Sequence, residues 1–257
     1  MDLNIFMLYY FMGTISVLGL IIWVVLLLID LQKNKKIRFT NAKTISGIVL
    51  LMLFYVSLPV LLCTFTYAVQ KDPEDLSTDE RAKSVALYDF AAKIAVVPHV
   101  KGEFYSLAGS EYMSLFDGKQ ALNCFKNAEH YKKKADPLVR HSLCTLYFWN
   151  EDDKNIEKYC TAGPIAVNHI RNNDYVSALQ VLNDKINKSG QSSGACLNYA
   201  LRSYVYRKTG YDYQADSDYS TAVSLCPKNR IVRSYAFAND ILDVYNGGRG
   251  YGNKLKF

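Results

Sequence analysis

The stretch from Cys196 to Asn229 constrains the fold more than any other part of the chain. Apolar and small residues recur at helical intervals on both sides of Gly210. The recurring residues are Tyr199, Ser203 and Tyr206 before it, and Ala215, Tyr219, Ala222 and Leu225 after it. Glycine commonly ends a helix, and Pro227 lies where the second helix must stop. The stretch therefore predicts two antiparallel helices joined by a tight turn. The alternative is a chance pair of amphipathic helices whose spacing marks no repeated unit.

A second stretch, from Gly102 to Lys134, has the same arrangement around the turn Asp117-Gly118. Its spaced residues are Tyr105, Gly109 and Tyr112 before the turn, and Ala121, Phe125 and Ala128 after it. In this register Gly109 corresponds to Ser203. Phe125 likewise corresponds to Tyr219.

These two units resemble the tetratricopeptide repeat (TPR), a 34-residue helical hairpin with small and aromatic residues at set positions. Weaker pairs follow the same plan over residues 136–160 and 163–188, although the repeat has a small residue where Lys185 stands. The resemblance implies an all-α fold: a TPR-like α-solenoid of about four helical hairpins. A lead-in helix over Arg81 to Val97, ended by Pro98, and a capping helix over Ile231 to Tyr245 are expected at its ends.

Two apolar runs precede the repeats. Ile5 to Ile29 and Ile45 to Val69 each contain 25 residues without a charge, and about 20 suffice to cross a bilayer. Two transmembrane helices forming a hairpin are therefore predicted, with buried core helices as the alternative. The first run has no basic leader, so we interpret it as a retained helix and not a cleaved signal peptide.

The loop between the runs is basic, with Lys33, Lys35, Lys36, Arg38 and Lys43 against Asp30. The segment after the second run is acidic. Because positive loops stay in the cytoplasm, both termini should face outward, placing the helical domain in the periplasm at a bacterial inner membrane. The predicted order is transmembrane helix 1 (1–30), cytoplasmic loop (31–44), transmembrane helix 2 (45–70), linker (71–80), helical domain (81–246) and a flexible basic tail (247–257).

No constellation of catalytic residues is evident, so an enzyme is the least favoured class. The sequence lacks a nucleophile elbow, a P-loop and a dinucleotide fingerprint. The histidines (His99, His130, His141 and His169) have no metal-like spacing. No cofactor, metal, nucleic acid or small-molecule substrate is therefore expected, and the net charge of +6 owes five bases to one short loop.

Cysteine positions allow a disulfide prediction. In an antiparallel hairpin, residues equally far from the turn lie side by side. Cys196 and Cys226 flank Tyr211 symmetrically, and Cys144 and Cys160 flank the second turn. Both pairs can bridge in an oxidising compartment, leaving Cys124 free. A Cys124–Cys144 bridge remains open as an alternative, as does a fully reduced set in the cytoplasm.

The resemblance implies a protein-interaction scaffold that binds a protein or peptide in a concave groove lined by the first helix of each hairpin. The expected groove residues are Arg171, Leu197, Tyr204, Arg207 and Lys208. The three cations favour an acidic partner, although solvated surface charges explain them equally well. A membrane-anchored adaptor is the first hypothesis, and an immunity protein neutralising a periplasmic toxin is the second.

Overall fold

The computed structural model describes residues 15, 18–19, 21–25, 29, 47–55, 77–132, 136–190, 192–242 and 255–257. The chain divides into two compact units, Met1–Asp136 and Pro137–Phe257. Each is described by itself below as the N-terminal unit and the C-terminal unit. The helical domain predicted over 81–246 spans the boundary between them.

The described parts of the two apolar runs are helical and contact each other. A side-chain carbon added at Gly19 would lie 2.6 Å from Leu50, and one added at Gly47 would lie 2.5 Å from Trp23. Position 19 thus faces 50 while 23 faces 47, which is an antiparallel pairing. No helix within the described residues is long and apolar enough to span a membrane. Most of both predicted spans, and all of the basic loop, lie outside those residues.

Within residues 77–132 the N-terminal unit contains three helices: α1 (Thr78–Ile94), α2 (Pro98–Ser114) and α3 (Gly118–Tyr131). Ser77 caps α1 by accepting a hydrogen bond from the Glu80 amide, and the Ser77 amide in turn donates to the Glu80 carboxylate. These two amides at the helix start are thereby satisfied. The helix therefore begins three residues before the predicted start of the helical domain at residue 81. Pro98 starts α2 where it was expected only to end α1, because proline fits the first turn of a helix.

The C-terminal unit contains seven helices within the described residues. They are α4 (Pro137–Trp149), α5 (Asp153–Tyr159), α6 (Ala162–Arg171), α7 (Tyr175–Ser189), α8 (Cys196–Lys208), α9 (Asp212–Leu225) and α10 (Arg230–Ala236). Helices α4 to α9 pair consecutively into three hairpins, and α8 also packs against α6, α7 and α10. With α2 and α3, the described residues form four hairpins, as the sequence predicts.

The predicted ends of the array differ from the structure. The capping helix α10 ends at Ala236, and a bend at 239–240 separates it from helical residues 241 and 242, where Asp240 accepts a bond from the Leu242 amide. The helix predicted over Ile231 to Tyr245 is therefore interrupted. Of the tail predicted to be flexible, the described part is 255–257, and Leu255 is buried there. The flexibility of the tail over 247–257 stays a prediction.

All four hairpin turns use the same backbone solution. One residue adopts a positive φ, and the next residue donates its amide to a carbonyl five residues back. The positive-φ residues are Phe116 (59°), Glu151 (55°), Asn173 (59°) and Gly210 (81°). In the first three turns an aspartate follows and caps the second helix: Asp117, Asp152 and Asp174. The turns therefore close through backbone bonds, without requiring glycine.

Small residues allow the paired helices to approach closely. A side-chain carbon added at Gly109 would lie 2.9 Å from the buried Phe125 ring. At the corresponding position in the last hairpin, the buried Ser203 hydroxyl donates to the Ala215 carbonyl at 2.8 Å. The register predicted between the two units thus places small residues at the helix contact in both.

Two cysteine pairs lie at disulfide distance. Cys144 and Cys160 have their Cα atoms 4.9 Å apart, and those of Cys196 and Cys226 are 6.0 Å apart. Each bridge joins the two helices of one hairpin. Cys124 is a buried free thiol, and burial next to Asp89 raises the pKa of this thiol to about 12.

Candidate functional site

Two neighbouring cavities in the C-terminal unit form a groove. It runs along the N-terminal ends of α4, α6 and α8, which are the first helices of the three hairpins in this unit. Each has a volume of about 340 Å³, and they share Thr161 and Pro164. The first cavity is lined by Pro137, Arg140, His141, Cys144, Tyr159, Thr161 and Pro164. The second is lined by Thr161, Ala162, Gly163, Pro164, Val167, Lys185, Gly194, Leu197, Asn198, Leu201 and Tyr235. We call this continuous depression the α4–α6–α8 groove.

The second cavity has an apolar wall with room for a side chain. Val167 and Leu201 lie on helices that pack against each other, and Tyr235 closes the cavity from α10. A side-chain carbon added at Gly163 would meet nothing closer than Leu201 at 4.0 Å. The wall therefore remains open in front of Gly163, and one apolar side chain of a partner can enter there.

The groove is basic. Among its described lining residues the charged ones are Arg140 and Lys185, with His141 titratable, and none is an aspartate or glutamate. Lys185 is exposed. Position 185 lies at a cavity edge and not between packed helices, so it can carry a lysine where the repeat has a small residue.

Arg140 has a structural partner as well as a place in the groove. Its guanidinium donates to the carbonyls of Tyr159 at 3.1 Å and Lys158 at 2.9 Å. These carbonyls lie at the end of α5, so the cation also favours the negative end of that helix. Arg140 and the adjacent Cys144–Cys160 bridge therefore hold the end of α5 against α4, beside the groove.

Asn198 is the polar residue of the apolar cavity. Its residue is 8% exposed, and it lies one turn before Leu201 on the same face of α8. A buried amide has a strong demand for hydrogen bonds. The position suits an amide that bonds the backbone of an extended segment entering the cavity.

Of the five residues predicted to line a partner-binding groove, Leu197 lines the second cavity, and its contact with a partner stays a prediction. Tyr204 is only 4% exposed, and the prediction that it faces a groove is wrong. Burial raises the pKa of its hydroxyl. Tyr204 is buried because α8 packs against α6, α7, α9 and α10. Nearly all faces of α8 are therefore covered, whereas a surface helix buries only one face.

The three predicted cations lie outside the groove and are paired within the chain. Arg207 lies 2.6 Å from Asp216 and over the Phe237 ring. Lys208 donates to the Asn239 carbonyl at 2.9 Å. These contacts tie the end of α8 to α9 and to the segment after α10.

Arg171 connects the second and third hairpins. Its guanidinium donates to the Phe148 carbonyl at 3.0 Å and to Asn168, and it lies 3.5 Å from Glu151. Asn168 in turn donates to Asp153 at 2.9 Å. The side chain, 13% exposed, thus has a structural role at the turn between α4 and α5.

A second polar cluster stabilises the last hairpin. Arg202 donates two bonds to Asp218, at 2.6 and 2.7 Å, and a third to Asn183. This bidentate bond to Asp218 raises the pKa of the guanidinium. The cluster links α7, α8 and α9, behind the apolar cavity.

Sequence reasoning missed most of the groove. The missed residues are Pro137, Arg140, His141, Tyr159, Thr161, Ala162, Gly163, Pro164, Lys185, Gly194, Asn198, Leu201 and Tyr235. Many lie at the first turn of a helix or in the segment between hairpins, where helical periodicity carries no information. The one available signal is Lys185, which breaks the repeat pattern.

No family model matches the chain, and no curated protein matches it. Among solved structures, it is similar to that of YrrB, described as a TPR protein with an unusual peptide-binding site. The similarity covers 70% of this chain and 88% of that one, at 15% identity and a TM-score of 0.43.

Proposed function

We propose that this protein is a membrane-anchored interaction scaffold that binds an acidic segment of a partner protein in the α4–α6–α8 groove. The observation that carries the proposal is the continuity of two cavities across the first helices of three successive hairpins. A groove of this length accepts an extended segment of several residues.

The chemistry of the groove suggests which segment fits. An apolar side chain enters the cavity between Val167 and Leu201, and carboxylates beside it face Arg140, His141 and Lys185. Charges of one sign in a concave site also attract the opposite charge during encounter. A segment with an apolar anchor flanked by aspartates or glutamates satisfies both conditions.

A blocking substitution tests the groove directly. Random dodecapeptides are displayed and selected against the purified full chain, and the affinities of the enriched peptides are then measured. Gly163→Leu fills the space in front of Leu201, so it should weaken these peptides at least about tenfold, the loss typical of a central contact. Lys185→Glu should weaken acidic peptides more than neutral ones.

Asn187→Leu is the matched control, because it adds the same side chain at an exposed position of α7 outside the groove. It should leave affinity unchanged. Equal binding to wild type and Gly163→Leu, with helicity and melting preserved in both, would place the binding surface elsewhere and contradict the proposal.

The membrane anchor is the second part of the proposal. Its support is the pair of 25-residue uncharged runs together with the exposure of apolar side chains on their described residues, such as Ile22 at 60% and Met52 at 64%. Apolar surface of this extent requires a cover, and uncharged runs of this length suit the hydrocarbon core of a bilayer.

We further propose a bacterial inner-membrane location with the helical units in the periplasm. The basic loop between the runs and the two cysteine pairs at bridging distance support this orientation. Alkaline phosphatase fused after Phe257 should be active, and a cytoplasmic reporter at the same point should be inactive. The reverse pattern of activities would contradict the proposed orientation and would leave the proposal for the groove untouched.

A further inference from the structure

His169 lies between two carboxylates that belong to different hairpins. Its Nε2 atom is 3.3 Å from Glu157 on α5, and its Nδ1 atom is 3.6 Å from Asp174 at the turn after α6. The ring is partly buried, with 22% of the side chain exposed. Glu157 belongs to the second hairpin, whereas Asp174 belongs to the same hairpin as His169.

This geometry suits the protonated ring. An imidazolium donates from both nitrogens, but a neutral imidazole has one N–H and one acceptor nitrogen. An ionised carboxylate cannot donate to the acceptor nitrogen. A neutral ring can therefore donate to only one of the two carboxylates, and its contact with the other loses its attraction.

Asp174 is the better-supported of the two acceptors. Its side chain caps α7 by accepting from the Ser177 amide, and hydrogen bonds from the Ser177 side chain and amide lower the pKa of the Asp174 carboxyl. Its position is also held by the turn, since its amide donates to the His169 carbonyl at 2.8 Å. The neutral ring keeps the partner on its own hairpin, and the contact to Glu157 is the one that is lost.

The remaining charged groups near this contact do not replace it. On α6, Arg171 pairs with Glu151 and Asp153 at the opposite end of α5. These contacts hold the start of α5 and do not involve His169. Within the described residues, His169 and Glu157 form a charged contact between α6 and the second half of α5. Tyr159, at the end of α5, lines the groove.

We propose that His169 makes the α4–α6–α8 groove pH-sensitive: the protonated ring holds the α4–α5 wall against α6, and loss of the proton loosens that wall and weakens binding. This inference rests on the proposed function for its second clause. Histidine changes charge between about pH 5 and 8. The contact is partly exposed, so the expected effect is about two- to fivefold.

Amide hydrogen exchange tests the first clause without any ligand. In the full chain, protection of the α5 amides, corrected for the intrinsic exchange rate, should fall about two- to fivefold from pH 5.5 to pH 8. His169→Gln and Glu157→Gln should each make that protection independent of pH. The inference is overturned if α5 in either variant keeps the wild-type pH dependence, or if wild-type protection does not change.

Affinity tests the second clause. The probe is a fluorescein-labelled dodecapeptide of alternating leucine and glutamate. Its binding to wild type should weaken about two- to fivefold from pH 5.5 to pH 8, and this dependence should shrink in His169→Gln. His141→Gln is the control that removes the titrating charge lining the groove itself.

The two proposals fail in different ways. If the probe does not bind at either pH, the proposed function is contradicted while the exchange result still decides the role of His169. If the probe binds and the pH dependence disappears only in His141→Gln, the groove charge controls binding directly and the inference is wrong.

Discussion

The first and last hairpins share one plan but are stabilised differently. In the α2–α3 hairpin, Gly109 admits the fully buried Phe125 ring, and the nearby Cys124 is a free thiol. In the α8–α9 hairpin, Ser203 donates a hydrogen bond across the same contact, the Arg202–Asp218 pair joins three helices, and Cys196 lies at bridging distance from Cys226. One fold can therefore rest on shape in one place and on polar and covalent links in another.

Phe125 and Tyr219 occupy corresponding positions and give the largest contrast. Phe125 is fully buried, so Phe125→Ala should lower the free energy of unfolding by about 3–5 kcal/mol. Tyr219 is partly exposed against the Phe237 ring, so Tyr219→Ala should lower it by about 1 kcal/mol. Denaturant unfolding of both variants measures the difference. Equal losses would contradict the distinction between the two hairpins.

Removing the bridge should affect only the last hairpin. The joint variant Cys196→Ala and Cys226→Ala opens a loop of 30 residues, which should lower stability by about 3–4 kcal/mol in the chain-entropy model. Hydrogen exchange should report weaker protection in α8 and α9 and unchanged protection in α2 and α3. Cys124→Ala, which touches no bridge, is the control, and a uniform loss of protection would refute the local effect.

The small residues at the helix contact should both lose stability on substitution by alanine, but for different physical reasons. Gly109→Ala places a methyl group 2.9 Å from the Phe125 ring, so it should lower stability by about 1–3 kcal/mol through overpacking. Ser203→Ala removes one buried hydrogen bond without crowding, so the loss should be about 1 kcal/mol. In a Phe125→Leu background the stability loss caused by Gly109→Ala should be smaller, and the loss caused by Ser203→Ala should be the same as in wild type. Thermal melting of the single and double variants checks this.

The turns give the smallest effect, with the opposite sign. Glu151 has a positive φ of 55° and is exposed, so Glu151→Gly should relieve backbone strain and raise stability by about 0.5–1 kcal/mol, less the exposed pair with Arg171. Glu151→Ala, which loses the same pair but keeps the strain, separates the two contributions. Gly210→Ala should lower stability, because it introduces the strain that Gly210 avoids.

Local patterns explain which features were predictable. Helical spacing and turn residues locate all four hairpins, and equal distance from a turn predicts the cysteine pairs now found at bridging distance. The groove was not predictable in this way, because Tyr204 lies on a helix packed on several sides. Its burial depends on α6, α7 and α10 together. Lining residues such as Thr161 and Gly194 belong to segments between hairpins, where no periodicity exists to interpret.

The cysteine pairs have a consequence for biosynthesis. Ribosomes release the chain from its N-terminus, and each bridging cysteine pairs with the next one to emerge: Cys144 with Cys160, then Cys196 with Cys226. An oxidant acting on successive cysteines as they appear would make both bridges without reshuffling. Among the cysteines of the described residues Cys124 is the exception, since it emerges before Cys144 and could capture it. Early burial of Cys124 between α1, α2 and α3, before the second hairpin is released, would remove this competitor.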